Sequence, residues 1–155
     1  MSRAARRAWQ DLRGEMMGSA ARAVGTLYRR FQEEANRGYA ARGWKGATLT
    51  HVQFLSETEE RGTRLSDVAS ALKTTKQYAG RLAREMAAKR LVTLVADPLD
   101  RRAVLAKPTE RGRAFLQDAC DVRAELEARY LSRLAPSRAA AFVATLRELV
   151  AVTEG

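Results

Sequence analysis

Apolar residues recur at spacings of three and four over most of the chain, and the exceptions mark where its regular elements end. Trp9, Leu12, Met16, Ala20, Ala23, Val24, Leu27 and Phe31 fall on one stripe, which predicts a single long helix from about Ala4 to Glu34. The glycine-bearing stretch EANRGYAARGWKGA interrupts the pattern and reads as a connector. Gly38 and Gly43 have the first spacing of a phosphate loop, but the Gly-Lys-Ser/Thr ending that would cradle a phosphate is missing. Helical spacing resumes at LTHVQF. There Thr50 is placed to cap the free amides, Gln53 to reach back as the third helical residue, and Leu49 and Phe54 to form a hydrophobic staple. This helix is expected to run to about Glu60.

A short helix from about Ser66 to Leu72 carries Leu65, Val68, Ala69 and Leu72 on one face. KTT makes a tight turn, and Thr75 caps a further helix to about Lys89 whose buried stripe is Ala79, Leu82, Ala83 and Met86. The period then changes. LVTLVA and AVLAK are β-branched and apolar, and the DPLDRR turn between them predicts a two-stranded hairpin. Pro98 suits that turn and cannot sit in a central strand. Thr109 caps a long helix through about Leu134, with Phe115, Ala119, Val122, Leu126 and Tyr130 along one side. Pro136 opens the last helix, in which Ala139, Phe142, Val143, Leu146, Leu149 and Val150 again keep helical spacing.

Helix, helix, turn, helix, hairpin is the order of a winged helix-turn-helix. The expected fold is therefore mainly α with a small β-hairpin wing, flanked by long helices. Residues 1–36 are expected to form an N-terminal dimerisation helix, residues 49–108 the winged DNA-binding region, and residues 109–155 the C-terminal dimerisation helices, all in one continuous fold. A chain of 155 residues has trouble burying three long amphipathic stripes as well as the core of a small winged domain. The terminal helices are thus expected to pack against a second copy, making a homodimer.

Charge sharpens this picture through its position. The net charge is +10, yet residues 108–155 carry seven basic and seven acidic side chains and are neutral. The excess lies in residues 1–49, with ten basic and four acidic, and in residues 73–107, with nine and three. Such a localised basic block is the footprint of a protein that neutralises phosphates. No apolar run is long enough to span a membrane, and the N-terminus lacks the apolar stretch of a secretory signal. One cysteine, Cys120, forms no internal disulfide and suits a reducing cytoplasm, the expected location. With one histidine and one cysteine there is no nucleophilic or metal constellation, so no catalysis, cofactor or metal is expected.

LTHVQFL, LSDVASALKTTKQYAGRLAREMAAKRLVTL and ADPLDRRAVLAKPTERGRAFL together resemble the MarR family of bacterial transcriptional regulators over about residues 49–116. The DP-x-DRR wing followed by T-E-R-G is the most specific part. The resemblance implies a dimer that binds pseudo-palindromic double-stranded DNA, a repressor released by a small aromatic or phenolic effector. The residues support DNA reading in their own right. Lys76, Gln77, Tyr78, Arg81 and Arg84 lie away from the apolar stripe of their helix, where Gln can pair with adenine and Arg with guanine in a major groove. A hairpin tip can enter the minor groove, whose negative potential attracts arginine. By match to the family's Asp-x-Arg pattern that residue is Arg102, with Asp100 holding its guanidinium at two points and Arg101 meeting phosphate.

Three departures from the family pattern stand out. Lys73 occupies a position where a turn glycine is usual, Gly80 interrupts the recognition helix, and Pro108 replaces an apolar residue before Thr109. Lys73 and Thr75, at the turn and the cap, complete the candidate DNA contacts. For a small-molecule pocket the candidates by position are Tyr28, His51, Phe54 and Phe115, each weighed against a plain core role. Cys120 is read as a buried small hydrophobe rather than a redox sensor. The competing function is a non-specific architectural DNA-binding protein without a ligand response, which would show only phosphate-driven affinity.

Overall fold

The computed structural model describes residues 3–100 and 102–154. Along the chain lie α1 (Arg3–Gly18), α2 (Ala20–Ala41), α3 (Leu49–Ser56), β1 (Thr63–Arg64) and α4 (Leu65–Ala71), then α5 (Lys76–Ala88), β2 (Val92–Ala96), β3 (Val104–Pro108), α6 (Glu110–Leu131) and α7 (Pro136–Glu154). The strands form one antiparallel sheet in the order β1-β3-β2, with Leu94 facing Ala106 across the hairpin and Thr63 facing Ala106 on the other edge. Helix, helix, turn, helix, hairpin is thus observed, with the hairpin widened by a third strand.

The single N-terminal helix expected from the stripe is two helices. The apolar period crosses Ser19 undisturbed, but Ser19 is extended (φ −69°, ψ 145°). Its hydroxyl accepts from the Arg22 N–H at 3.2 Å and donates to the Met16 carbonyl at 3.0 Å, closing one helix and capping the next. The second helix continues through the supposed connector to Ala41. Gly38 is there for space: a Cβ would stand 2.8 Å from Cγ1 of Val122, so its absence lets α2 close on α6.

The cap of α3 also shifts. Thr48, not Thr50, is the N-cap, and His51 replaces Gln53 as the residue that reaches back, its Nδ1 accepting from the Thr48 N–H at 3.0 Å. The helix ends at Ser56 rather than Glu60, and α6 ends at Leu131 rather than Leu134. The caps at Thr75 and Thr109 are as expected: their hydroxyls accept from Tyr78 N–H at 3.1 Å and Gly112 N–H at 2.9 Å.

One core joins the winged domain to the long helices. Tyr39, Phe54, Val68, Met86, Leu91, Phe115 and Val122 are its largest fully buried side chains. Tyr39 and Phe115 meet edge to face with centroids 5.4 Å apart. The T-E-R-G turn anchors α6 to it. Thr109 donates its hydroxyl to the Arg90 carbonyl at 2.6 Å, and Gly112 packs so close to the Leu91 carbonyl that no side chain fits between them. By contrast, α1 packs chiefly on α2, and among the described residues α7 makes no extensive contact with another element, leaving Trp9, Met16, Leu149 and Val152 exposed.

Candidate nucleic-acid interface

The helix-turn-helix is α4, the KTT turn and α5. The turn closes through Thr74 N–H to the Ala69 carbonyl at 2.9 Å and Lys73 N–H to the Ser70 carbonyl at 3.0 Å. Lys73 adopts φ +49°, the left-handed region that favours glycine, so the strain expected where lysine replaces the usual glycine is present. Its side chain is exposed at the corner that precedes the recognition helix.

On α5 the split between faces is complete. Ala79, Leu82, Ala83 and Met86 are buried, while Lys76, Gln77, Tyr78, Arg81 and Arg84 are exposed. The Arg81 guanidinium lies 5.0 Å from the Tyr78 ring centroid, a cation–π contact that restrains a long side chain otherwise free to rotate. Gly80 is not there for space: an added Cβ would meet only the tip of Arg84, at 3.7 Å.

The wing tip presents Pro98 and Leu99 to solvent, Leu99 being 89% exposed, and Arg102 is exposed beside them. Arg101 lies outside the described residues. Asp100 does not take the expected role. Its Oδ1 accepts from the backbone N–H of Arg102 at 3.0 Å, and no two-point bond to that guanidinium is among the contacts described. A short carboxylate on a tight turn reaches the N–H two residues ahead more easily than a flexible guanidinium.

The residue organising the wing is one that sequence reasoning passed over. Asp97 is buried; its Oδ1 accepts from the Leu99 N–H at 2.8 Å and its Oδ2 from Nε of Arg64 at 2.6 Å. The Leu99 N–H first, and then the Arg64 guanidinium, hold the Asp97 carboxyl below the usual carboxylate range against the opposing effect of burial. Arg64 is pushed up in turn by the same bond. An Asp-Pro pair opening a turn was the available signal for the Asx bond; nothing local signals Arg64.

The four effector candidates are not gathered into one cavity. Phe54 and Phe115 are fully buried, and Phe115 is flanked by Tyr39 and by Trp44, 5.2 Å away. His51 is buried as the third residue of α3, bonded back to the Thr48 cap, and burial pushes its imidazole below the usual histidine range. Tyr28 is half exposed, its hydroxyl accepting from Gln53 Nε2 at 3.3 Å. These three rings are core because they fall on the inner faces of α3 and α6. A cavity of about 200 Å³ lies between Leu55, Thr58, Pro108, Gly112 and Leu116, and one of about 390 Å³ between α2 and α6 at Glu34, Gly38, Val122 and Arg129. Neither contains any of the four. Cys120, expected inside, is exposed on the outer face of α6. Among the described residues no helix is long and apolar enough to cross a membrane.

The model of the MarR family matches residues 45–103, which takes in the helix-turn-helix and most of the wing. No curated protein sequence matches the chain. Solved structures share the fold over nearly its whole length. AbsC, a MarR family transcriptional regulator from Streptomyces coelicolor, is 23% identical over 88% of this chain and 93% of its own, with a TM-score of 0.66. S. aureus MepR in complex with DNA is 18% identical over 86% and 98%, at 0.71. Bordetella bronchiseptica BpsR, whose DNA binding is regulated by 6-hydroxynicotinic acid, is 20% identical over 88% and 96%, at 0.70.

Proposed function

We propose that the chain, whose residues 45–103 match the model of the MarR family, is a homodimeric, sequence-specific transcriptional regulator that represses from a pseudo-palindromic operator. The observation that carries this reading is the clean division of α5. Five consecutive-turn polar residues stand out from a stripe that is wholly buried, next to a wing with an exposed arginine. Hydrogen-bonding groups at that density on one helix face suit the base edges of a major groove, and Arg102 suits the adjacent minor groove.

Dimerisation is supported by the apolar surface that one copy leaves open. Trp9, Leu12 and Met16 on α1, Val24 and Leu27 on α2, and Phe142, Leu146 and Leu149 on α7 are all exposed. Their helical periodicity makes them continuous stripes rather than scattered residues, the pattern of a surface that a second copy covers. A small aromatic acid as the releasing effector is supported by the likeness to BpsR and its 6-hydroxynicotinic acid.

The test is selection from a random duplex library at about physiological salt. Enrichment of an inverted repeat, its half-sites about one helical turn apart, is the expected result. Binding that enriches no sequence and collapses steeply with salt would replace this reading with the architectural one.

A further inference from the structure

Arg64 lies on neither of the surfaces proposed to read DNA, the exposed face of α5 and the wing tip, yet it touches the part of the wing that aims the second of them. It is the last residue of β1 and the N-cap position of α4, the first helix of the helix-turn-helix. Its backbone is paired with Leu105 on β3 and its Nε donates to Oδ2 of Asp97 at the start of the wing turn, 2.6 Å away. The two partners differ sharply in setting: the Asp97 side chain is 5% exposed and that of Arg64 42%.

Both oxygens of Asp97 are therefore committed. One fixes the turn internally, through Leu99; the other ties that turn to a different element. The Asp97 N–H adds a third restraint by donating to the Ala103 carbonyl at 3.0 Å, closing the hairpin end. The remaining bonds of the tip are internal to it, Arg102 N–H to Asp100 Oδ1 at 3.0 Å and Ala103 N–H to the Asp100 carbonyl at 2.8 Å; they shape the turn but do not fix its angle, and a narrow hairpin bends and twists readily. The clasp runs from the wing to the helix that packs directly on α5, so it sets one DNA-reading element against the other. A lysine at this position would bring charge but not the planar guanidinium that donates through Nε.

Resting on the reading of this chain as an operator-binding regulator, we propose that Arg64 is a positioning residue: by clasping Asp97 it fixes the angle at which the wing presents Arg102 to the minor groove while α5 sits in the major groove. Arg64 acts through Arg102. Removing it leaves the buried Asp97 carboxylate with the backbone N–H groups of its own turn, Leu99 and Asp100, but without its charged partner, and the turn swings toward water to hydrate the abandoned oxygen. The recognition helix, packed through its own apolar stripe, stays where it is.

The experiment is a set of four proteins on the selected operator: the native chain, Arg64→Ala, Arg102→Ala and the double variant, with melting temperature measured alongside affinity. Arg64→Ala is expected to weaken binding by about tenfold, without changing the salt slope, and by less than about twofold once Arg102 is already alanine. Asp97→Asn, which keeps an acceptor for Leu99 and loses the charge, is expected to show the same dependence on Arg102. An equal loss in both backgrounds, or a salt slope reduced by about one, would overturn the proposal by making Arg64 a direct DNA contact. Unchanged binding of Arg64→Ala would overturn it as well. Failure of the native chain to bind any duplex would bring down the regulator reading itself, a result that the four-way comparison separates from failure of the clasp.

Discussion

Nε2 of His51 stands 3.1 Å from Oε1 of Glu85, joining the start of α3 to α5. Because Nδ1 accepts from the Thr48 N–H, the proton of the neutral ring sits on Nε2 and points at the carboxylate. Burial, reinforced by Lys89, outweighs the pull of Glu85 and keeps the imidazole below the ordinary histidine range. A histidine with a lowered native pKa favours the folded state fully above its unfolded pKa of about 6.5, and that contribution is lost as the pH falls below it. The melting temperature is therefore expected to drop between about pH 7 and pH 5, and the drop to shrink in His51→Gln. Glutamine still serves as the third residue of a capping box, so the cap survives while the titration goes. His51 is the one histidine in the chain, so an identical pH profile in the variant would assign the loss to carboxylates instead.

Two glycines should respond in opposite directions to alanine. At Gly112 the added Cβ runs into the backbone carbonyl of Leu91, which no rotamer change relieves. Gly112→Ala is expected to cost at or above the upper end of the about 1–3 kcal/mol typical of overpacking, read from urea denaturation. Gly80 has open surroundings in a helix interior, and Gly80→Ala is expected to stabilise by about 0.5–1 kcal/mol. Should Gly80→Ala stabilise the fold and still abolish operator binding, the glycine is there to let the DNA backbone approach.

Base readout has its own signature. Arg81→Ala is expected to lose about 1–3 kcal/mol of discrimination at one base pair of the half-site while binding altered sequences nearly as before. Tyr78→Ala removes the ring beneath that guanidinium and should reproduce part of the same relaxation at the same base pair. Titrations against the operator and its single-base variants would decide it. A uniform weakening across all variants, with a shallower salt slope, would make Arg81 a phosphate contact.

How much of this was legible depended on whether a residue answered to its neighbours or to distant ones. The buried stripe of α5 was readable because Ala79, Leu82, Ala83 and Met86 repeat at helical spacing and their burial needs no partner knowledge. The caps at Thr75 and Thr109 were readable for the same local reason, and the wing because the period changed. Ser19 was missed because hydrophobic spacing stays in phase across it; only the extended backbone reveals the break. Thr48 lost to Thr50 because both are capping residues, and what selects the former is His51, whose far nitrogen is satisfied by Glu85. β1 is two residues long and is a strand only through β3, and Arg64 finds Asp97 across 33 positions. Of the effector candidates, Phe54 and Phe115 lie on inner faces and Tyr28 is half exposed, a difference that position along a helix does not reveal because it depends on which neighbours pack there.

The terminal helices give the last expectation. Leu149 is 59% exposed and Trp9 64%, on the apolar stripes of α7 and α1. A glutamate placed in such a stripe stays hydrated in a monomer but must shed its water unpaired in an interface, a cost of several kcal/mol. Leu149→Glu and Trp9→Glu should therefore fold as the native chain does and yet sediment at half its mass. On the proposed reading two half-sites are engaged only through the dimer, so affinity for the full operator should fall by at least about a hundredfold, while binding to an isolated half-site changes little. Sedimentation equilibrium paired with half-site and full-site titrations makes the comparison. A native chain that sediments as a monomer at micromolar concentration, or variants that keep its dimer mass, would remove the terminal helices from the interface.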